Sequence, residues 1–226
     1  MSEIINNVFI TGTSSGVGHE LTQSFLDRGH NVFGISRKDI NFGNSNYTHF
    51  PVDLRDIDKI KKEINALDIK FDVVIHNASE FYLSNLMQTD DEIINSIIDT
   101  NIKGTIFLTK YLIPKLNKNS RMIFINSVAG KNELPQQSIY CSSKHAISAF
   151  ANIINEELKD HGIKVTSIYP GGIDTPLWNA SNPYPGSDKD RLLTSNDICK
   201  IVHFILNQSD NIYLKSLLLY PDNESH

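Results

Sequence analysis

The chain has 226 residues, of which 40% are hydrophobic and 21% charged, and its formal net charge is −5. This length favours one α/β domain with a substantial core, and scattered lysines and arginines on an acidic chain argue against nucleic-acid binding. No stretch approaches the roughly 18 apolar residues of a membrane span, the N-terminus lacks an export signal, and the two cysteines lack metal-site spacing. We therefore expect a cytoplasmic protein that binds neither membranes nor metal ions.

Short β-rich runs alternate with longer helical patterns along the chain, which predicts a mostly parallel sheet with helices on both faces. The intervening segments carry apolar residues at helical spacing, such as Ile57, Ile60 and Ile64. Asn41–Tyr47 and Leu177–Arg191 lack periodicity, and the second is either a substrate lid or an ordinary surface loop. The seven predicted strands are Val8–Thr11, Asn31–Ile35, His49–Val52, Val73–His76, Met122–Ser127, Lys164–Tyr169 and Ser216–Tyr220.

The segment Thr11-Gly-Thr-Ser-Ser-Gly-Val-Gly18 places three glycines between the first strand and a helix predicted over about Val17 to Arg28. Gly12 permits a tight turn, Gly16 allows a pyrophosphate to approach the backbone, and Gly18 lets the helix pack on the sheet. The helix N-terminus then directs unpaired N–H groups towards the phosphates. Such a cluster is also ordinary loop composition, so it is weak evidence alone. The predicted cofactor-binding residues of this loop are Gly12, Ser14, Ser15, Gly16, Val17 and Gly18.

Ligands of an open parallel sheet bind beyond the carboxyl ends of its strands, so the residues after each strand are candidates. Ser36 and Arg37 follow the second strand, where a carboxylate would hold the ribose 2′-hydroxyl of NAD. A small side chain and a cation instead suit a 2′-phosphate, which favours NADP(H) and leaves NAD(H) possible. The alternative is that Arg37 is a solvated surface charge.

Two further strand ends carry candidate cofactor contacts. Asp53 and Leu54 follow the third strand and are expected to meet the adenine, although Asp53 would equally cap the helix that begins near Asp56. The fourth strand ends in His76-Asn-Ala-Ser79, which predicts a tight polar turn against the cofactor. We interpret His76 as a packed strand-end residue, and the cofactor contacts of this turn as Asn77, Ala78 and Ser79.

Tyr140 and Lys144 form a candidate proton-transfer pair, because residues four apart on a helix share a face and an ammonium favours a phenolate. The spacing discriminates poorly, since Tyr111 and Lys115 repeat it. Ser127, at the predicted end of a strand thirteen residues before Tyr140, singles out the Tyr140 pair.

Six segments together resemble, in order and spacing, the short-chain dehydrogenase/reductase family. They are Thr11-Gly-Thr-Ser-Ser-Gly-Val-Gly18, His76-Asn-Ala-Ser79, Asn101-Ile-Lys-Gly104, Ile125-Asn-Ser-Val-Ala-Gly130, Tyr140-Cys-Ser-Ser-Lys144 and Pro170-Gly-Gly-Ile-Asp-Thr-Pro176. The resemblance covers essentially the whole chain and implies a Rossmann-type, doubly wound α/β fold. It further implies a single NAD(P)-binding domain over residues 1–226, with a substrate lid at about 177–191.

The resemblance implies an oxidoreductase that interconverts a carbonyl and a secondary alcohol. Tyr140 would be the acid/base, and Ser127 would hydrogen-bond the substrate oxygen. Lys144 would lower the pKa of Tyr140 and bind the nicotinamide ribose, while Asn101 would hold a water in a proton relay. The cofactor contacts expected after the sixth strand are Pro170, Gly171, Ile173 and Thr175.

This sequence departs from the family at two positions, because His76 and Ser79 stand where asparagine and glycine are usual. Ser79 is expected to alter the wall beside the nicotinamide. No motif specifies the substrate, whose contacts are expected in the lid and in the stretch Ser127–Tyr140, which includes Glu133, Leu134 and Gln137.

Two other functions compete with this interpretation. A non-catalytic NADP-binding regulator of the same fold would not need the intact set of Asn101, Ser127, Tyr140 and Lys144. A sugar-nucleotide epimerase or dehydratase of the extended type would need more than the roughly 50 residues that follow Pro176. By resemblance, a homodimer or homotetramer is expected to pair the helices that carry Asn101 and Tyr140.

Overall fold

The computed structural model describes residues 5–179, 182–185, 191–209 and 211–222. The strands are β1 (Asn7–Thr11), β2 (Asn31–Ser36), β3 (Tyr47–Pro51), β4 (Phe71–His76), β5 (Leu116–Ile125), β6 (Lys164–Pro170), β7 (Ile173–Asp174), β8 (Leu193–Thr194) and β9 (Ser216–Leu219). The helices are α1 (Gly16–Asp27), α2 (Ile57–Asn65), α3 (Asp91–Ile97), α4 (Thr105–Leu112), α5 (Ser138–Leu158) and α6 (Ser195–Leu206). A π-helical turn, Ile98–Gly104, joins α3 to α4.

Seven strands form one parallel sheet in the order β3-β2-β1-β4-β5-β6-β9. The chain runs outwards from β1 to β3 and then returns to place β4 on the other side of β1. The order therefore reverses between β1 and β4, where the ends of both strands open a crevice for a ligand. This topology confirms the predicted doubly wound α/β fold.

Helices cover both faces of the sheet because successive side chains of a strand point to opposite sides. On β1, Phe9 packs into a core with residues of α2, α4 and α5, while Val8 and Ile10 pack into a second core with α1 and α6. All three side chains are fully buried. Burial on both faces explains why the strands are nearly continuous apolar runs.

The predicted strand boundaries differ from the structure mainly at the third and fifth strands. The third begins at Tyr47 and ends at Pro51, so Tyr47 belongs to a strand rather than to the predicted irregular segment. The fifth spans Leu116–Ile125, so it begins before the predicted Met122 and ends before Ser127. Ser127 instead caps a short 3-10 turn by accepting a hydrogen bond from the backbone N–H of Ala129. The small parallel pair of β7 and β8 was not predicted. Within the described ranges, no helix combines the length and apolarity needed to cross a bilayer.

His76 is packed at the end of β4, as predicted. It is 5% exposed, its ring stacks on Phe124 with a centroid distance of 4.6 Å, and its Nε2 lies 3.1 Å from Oγ1 of Thr109. Burial disfavours the charged imidazolium and lowers the pKa of His76 to about 3.

This burial predicts acid sensitivity. In the unfolded chain the imidazole takes up a proton below about pH 6.5, whereas the folded protein resists protonation down to about pH 3. The stability that His76 contributes is thus fully present above pH 6.5 and is lost as the pH falls towards 3. We expect the step from pH 7 to pH 5 to remove about 2 kcal/mol through this group. Urea unfolding of the wild type and of His76→Asn measures it, and an equal pH dependence in both proteins would contradict the assignment.

Candidate active site

The three glycines after β1 have the backbone geometry that a phosphate loop needs. Gly12 and Gly16 adopt left-handed φ angles of +76° and +55°, which favour glycine. A Cβ on Gly18 would lie 2.2 Å from the carbonyl oxygen of Gly12, so only glycine lets α1 begin directly against the turn. The loop therefore presents bare backbone to the crevice at the start of α1.

Hydrogen bonds join this loop to the turn after β4. Oγ1 of Thr11 accepts bonds of 2.8 Å from the backbone N–H groups of both Asn77 and Ala78, and Nδ2 of Asn77 donates to the carbonyl oxygen of Thr11 at 2.9 Å. The side chain of Asn77 thus holds the two central strand ends together. This explains why the fourth-strand turn retains the Asn-Ala pair even though its first and last residues depart from the family.

A cavity of about 900 Å³ runs along the carboxyl ends of the strands. Its size is within the range of ligand pockets. Every residue predicted above as catalytic or cofactor-binding lines it, except Gly18 and Asn101. Gly18 instead lies in the contact between α1 and the turn at Gly12.

Arg37 is paired with a carboxylate at the edge of the cavity. Its Nη1 lies 2.6 Å from Oε1 of Glu80, and its side chain remains 58% exposed. The other oxygen of Glu80 accepts a hydrogen bond from Ser96, whose hydroxyl also accepts one from Arg55 at 3.1 Å. Arg37 is therefore part of a polar cluster at the edge of the cavity, and its exposed side chain stays compatible with the alternative of a solvated surface charge.

Asp53 is held by a neighbouring cation. Arg55 donates from its Nε and Nη2 to both carboxylate oxygens, at distances between 2.6 and 3.0 Å. Partial burial favours the neutral acid, but these bonds and the charge of Arg55 outweigh it and lower the pKa of Asp53. The capping alternative is wrong, because Asp56 caps α2 by accepting a 3.0 Å bond from the N–H of Lys59.

Asn101 lies in the π-helical turn Ile98–Gly104 and is 3% exposed. Its Nδ2 donates to the carbonyl of Glu80 at 2.8 Å and to Oγ of Ser143 at 3.1 Å. Its Oδ1 accepts from the N–H of Glu80 at 2.7 Å and from the hydroxyl of Ser79 at 3.2 Å. An asparagine amide makes about four such bonds, so this one is saturated and braces the β4 turn against α5. The relay water predicted at Asn101 would therefore have to bind an atom of this residue outside the side-chain amide.

Tyr140 and Lys144 lie on one face of α5 and both enter the cavity, with exposures of 8% and 5%. Nζ of Lys144 lies 5.5 Å from the centroid of the Tyr140 ring. Ser127 and Ser79 act on the ionisation of Tyr140, because their hydroxyl groups favour its phenolate and lower its pKa. The structure therefore brings together the three residues predicted to handle the substrate oxygen and its proton.

The prediction that the pKa of Tyr140 is lowered is wrong, because the protein groups around Tyr140 together raise it. Burial raises the pKa of Tyr140 to about 12, and the hydroxyl groups of Ser127 and Ser79 offset this rise only in part. Burial also lowers the pKa of Lys144 to about 8. Sequence spacing identified the pair but not the desolvation, which disfavours the charged form of each residue.

We expect Lys144 to lower the free energy of unfolding, because its ammonium group is buried in the cavity. Below about pH 8 the buried ammonium costs about 3 kcal/mol, from 1.36 kcal/mol per pKa unit between the buried and the free side chain. We expect Lys144→Met to raise the free energy of unfolding by this amount at pH 7 and to lower turnover. The gain should shrink as the pH rises from 8 towards 10.5, where the unfolded lysine also loses its proton. Denaturant unfolding at several pH values checks this, and a pH-independent gain would contradict it.

Aromatic rings enclose the cavity beyond Tyr140. The Phe81 ring lies edge-on to Tyr140 at 4.8 Å and to Trp178 at 5.0 Å, and Trp178 meets Tyr184 at 5.0 Å. Nε1 of Trp178 is anchored on the carbonyl of Ile173 at 2.8 Å. Trp178 and Tyr184 thus line the cavity. The lid at about 177–191 stays a prediction, and residues 180–181 and 186–190 of that segment lie outside the described residues.

Sequence reasoning missed Glu80 and Phe81, which meet Arg37 and Tyr140. They directly follow the Asn-Ala-Ser turn, but the family pattern ends there, so the sequence held no signal for them. The second tyrosine and lysine pair is correctly set aside, because Lys115 donates to the backbone carbonyl of Leu67, outside the cavity. Within the described part of the chain, no cluster of side chains is suited to hold a metal ion.

Comparison with known proteins identifies the class to which this fold and cavity belong. The sequence model of the short chain dehydrogenase family matches residues 6–185. This chain therefore belongs to the short-chain dehydrogenase family.

Individual relatives agree with this placement. Dehydrogenase/reductase SDR family member 7B of Xenopus tropicalis is 33% identical over 190 residues, which are 75% of this chain and 62% of that protein. This chain thus spans less than two thirds of that relative's length. Farnesol dehydrogenase of Aedes aegypti is 29% identical over 95% of both chains. The closed form of a serine dehydrogenase complexed with NADP+ superposes with a TM-score of 0.88 over 97% of this chain and 96% of its own, at 22% identity, which supports the Rossmann fold.

Proposed function

We propose that the protein is an NADP(H)-preferring oxidoreductase that interconverts a carbonyl and a secondary alcohol by hydride transfer, with Tyr140 as acid/base. The observation that carries this proposal is the convergence of Tyr140, Ser127 and Lys144 on the cavity that also contains the glycine loop. The relatives named dehydrogenase, including one named for farnesol, support the same reaction class. We take residues 1–226 as one nucleotide-binding domain with a lid at about 177–191.

The cavity suits a nicotinamide dinucleotide. Side chains are excluded where the pyrophosphate would lie, because Gly16 has a left-handed backbone and its would-be Cβ is 3.3 Å from Thr175. The loop and the N-terminus of α1 would hold the phosphates, Lys144 would bind the nicotinamide ribose, and Thr175 would face the carboxamide. When bound, the cofactor supplies or accepts the hydride.

The protein's own groups position the substrate and move the proton. Ser127 and Tyr140 donate hydrogen bonds to the carbonyl oxygen, and Tyr140 gives its proton to the alkoxide that develops. With the pKa of Tyr140 raised by burial to about 12, the phenol remains protonated at neutral pH. That is the form which reduction requires, whereas oxidation of an alcohol requires the phenolate.

Tyr140→Phe tests the acid/base role. The phenyl ring keeps the packing against Phe81 but removes the proton donor, so we expect turnover to fall about 100- to 10,000-fold with NADPH affinity unchanged. Steady-state kinetics with a ketone panel and fluorescence titration with NADPH measure the two effects. Tyr111→Phe is the matched control, because Tyr111 does not line the cavity. Retention of most activity in Tyr140→Phe would overturn the assignment.

Arg37 and Glu80 together set the expected cofactor preference. A 2′-phosphate beside Arg37 would share the guanidinium with the Glu80 carboxylate, so Glu80 opposes the phosphate while Arg37 attracts it. We expect NADPH to bind at least tenfold more tightly than NADH, a difference of about 1.4 kcal/mol. Arg37→Met should make NADPH and NADH bind with similar affinity, and Glu80→Gln should increase the preference for NADPH.

Fluorescence titration of the wild type and both variants with NADPH and NADH measures these ratios. A wild-type preference for NADH would show that Arg37 serves only its ion pair with Glu80. Binding of neither nucleotide would favour a protein of this fold without the catalytic function.

A further inference from the structure

Gln137 is a buried polar side chain in the cavity that the proposed reaction does not use, and it is 6% exposed. It lies in the same cavity as an apolar wall. This wall consists of Leu134, Leu177 and Trp178, which pack against the cluster that contains Phe81 and Tyr140. Apolar pockets with a few placed polar groups are typical of small-molecule sites, in which the polar groups fix the orientation of the ligand.

The amide of Gln137 has no hydrogen-bond partner among the described residues. Its backbone is satisfied, since its N–H donates to the carbonyl of Leu134 at 3.2 Å and its carbonyl accepts from the N–H of Cys141 at 2.7 Å. The side chain does not cap α5, although Gln137 occupies the N-cap position. The amide is not enclosed by protein, because the enclosed side-chain atoms without a partner among the described residues are those of Thr100, Ser120 and Asn126. It opens onto the cavity, where a ligand group can take the place of water as its hydrogen-bond partner.

The preceding residue fixes the direction in which Gln137 enters the cavity. Gln136 has a left-handed φ of +63°, a conformation that costs a non-glycine residue about 1 kcal/mol or more. Its carbonyl accepts a 2.9 Å bond from the N–H of Ser84, so the segment after β4 holds this turn in place. Strained backbone of this kind persists where the surroundings determine it, often at ligand sites.

Gln137 precedes Tyr140 by three residues at the start of α5, and such residues have Cβ atoms about 5–6 Å apart. Both residues line the same cavity, so one ligand can contact Gln137 and Tyr140 together. Among the described residues that line the cavity, the charged side chains other than Lys144 follow β2, β3 and β4 rather than this wall, and they are Arg37, Lys38, Asp53 and Glu80. An amide offers a dipole and no counter-charge, which suits a neutral group.

We propose that Gln137 is a substrate-recognition residue that hydrogen-bonds a second polar group of the substrate. The substrate class is an uncharged ketone or secondary alcohol with an apolar body and a second carbonyl, hydroxyl or amide group near the reacting carbon. This inference rests on the proposed oxidoreductase function and deepens it.

Two probes of equal chain length test the proposal with NADPH present, namely ethyl 3-oxobutanoate and 2-heptanone. The two ketones differ in intrinsic reactivity, so the measure is how their ratio of kcat/KM changes between proteins. We expect Gln137→Met to lower the preference for the keto ester at least tenfold while the Kd of NADPH stays unchanged. Gln137→Glu, which keeps the shape but cannot donate to the ester when ionised, should lower it as well. The control Gln88→Met makes the same change on the exposed turn Leu86–Gln88 and should leave the ratio unchanged.

Each outcome decides one statement. If Gln137→Met still reduces both ketones and their ratio of kcat/KM is unchanged, the proposed role of Gln137 is overturned. The amide would then be hydrogen-bonded by water only, and the proposed function would stay intact. More efficient reduction of the 3-oxobutanoate anion than of its ester would overturn the uncharged substrate class. Reduction of neither ketone by the wild type or by Gln88→Met would contradict the proposed function itself, and this inference with it.

Discussion

The hydrogen bonds between Thr11 and the turn after β4 are the constraint on which the site depends. They join the ends of β1 and β4, the two strands between which the sheet order reverses. Asn77 completes the junction from its side chain, and Gly18 lets α1 start against it. Because this junction fixes the glycine loop relative to the β4 turn, it also fixes the residues that follow Asn77, from Ser79 to Phe81.

A second set of hydrogen bonds connects the turn after β4 to α5. The saturated amide of Asn101 braces the backbone of Glu80 against Ser143, one turn beyond Tyr140. The π-helical turn that places Asn101 interrupts a regular helix, and such turns are frequent at functional sites. The bracing role of Asn101 is compatible with its predicted catalytic role, because a rigid support positions a proton donor within the small tolerances of catalysis.

Unfavourable features lie together in the site. A lysine and a tyrosine are buried side by side, and Gln136 holds a left-handed backbone. Each feature costs stability, and the two apolar cores on either side of the sheet supply the stability that tolerates them. Their clustering at one cavity supports the proposal that this part of the protein binds the substrate and carries out the reaction.

The doubly wound order was implied by the resemblance of six motifs to a known family. The sequence by itself determined the seven strands, the glycine loop and the alignment of Tyr140 with Lys144. These follow from local periodicity, from glycine's freedom at Gly12 and Gly16, and from helical spacing. Only the tertiary structure decided that Glu80 holds Arg37, that Asp56 rather than Asp53 caps α2, and that burial raises the pKa of Tyr140. The physical reason is that ion pairing and desolvation depend on groups brought together from distant strand ends, and no local pattern records which groups those are.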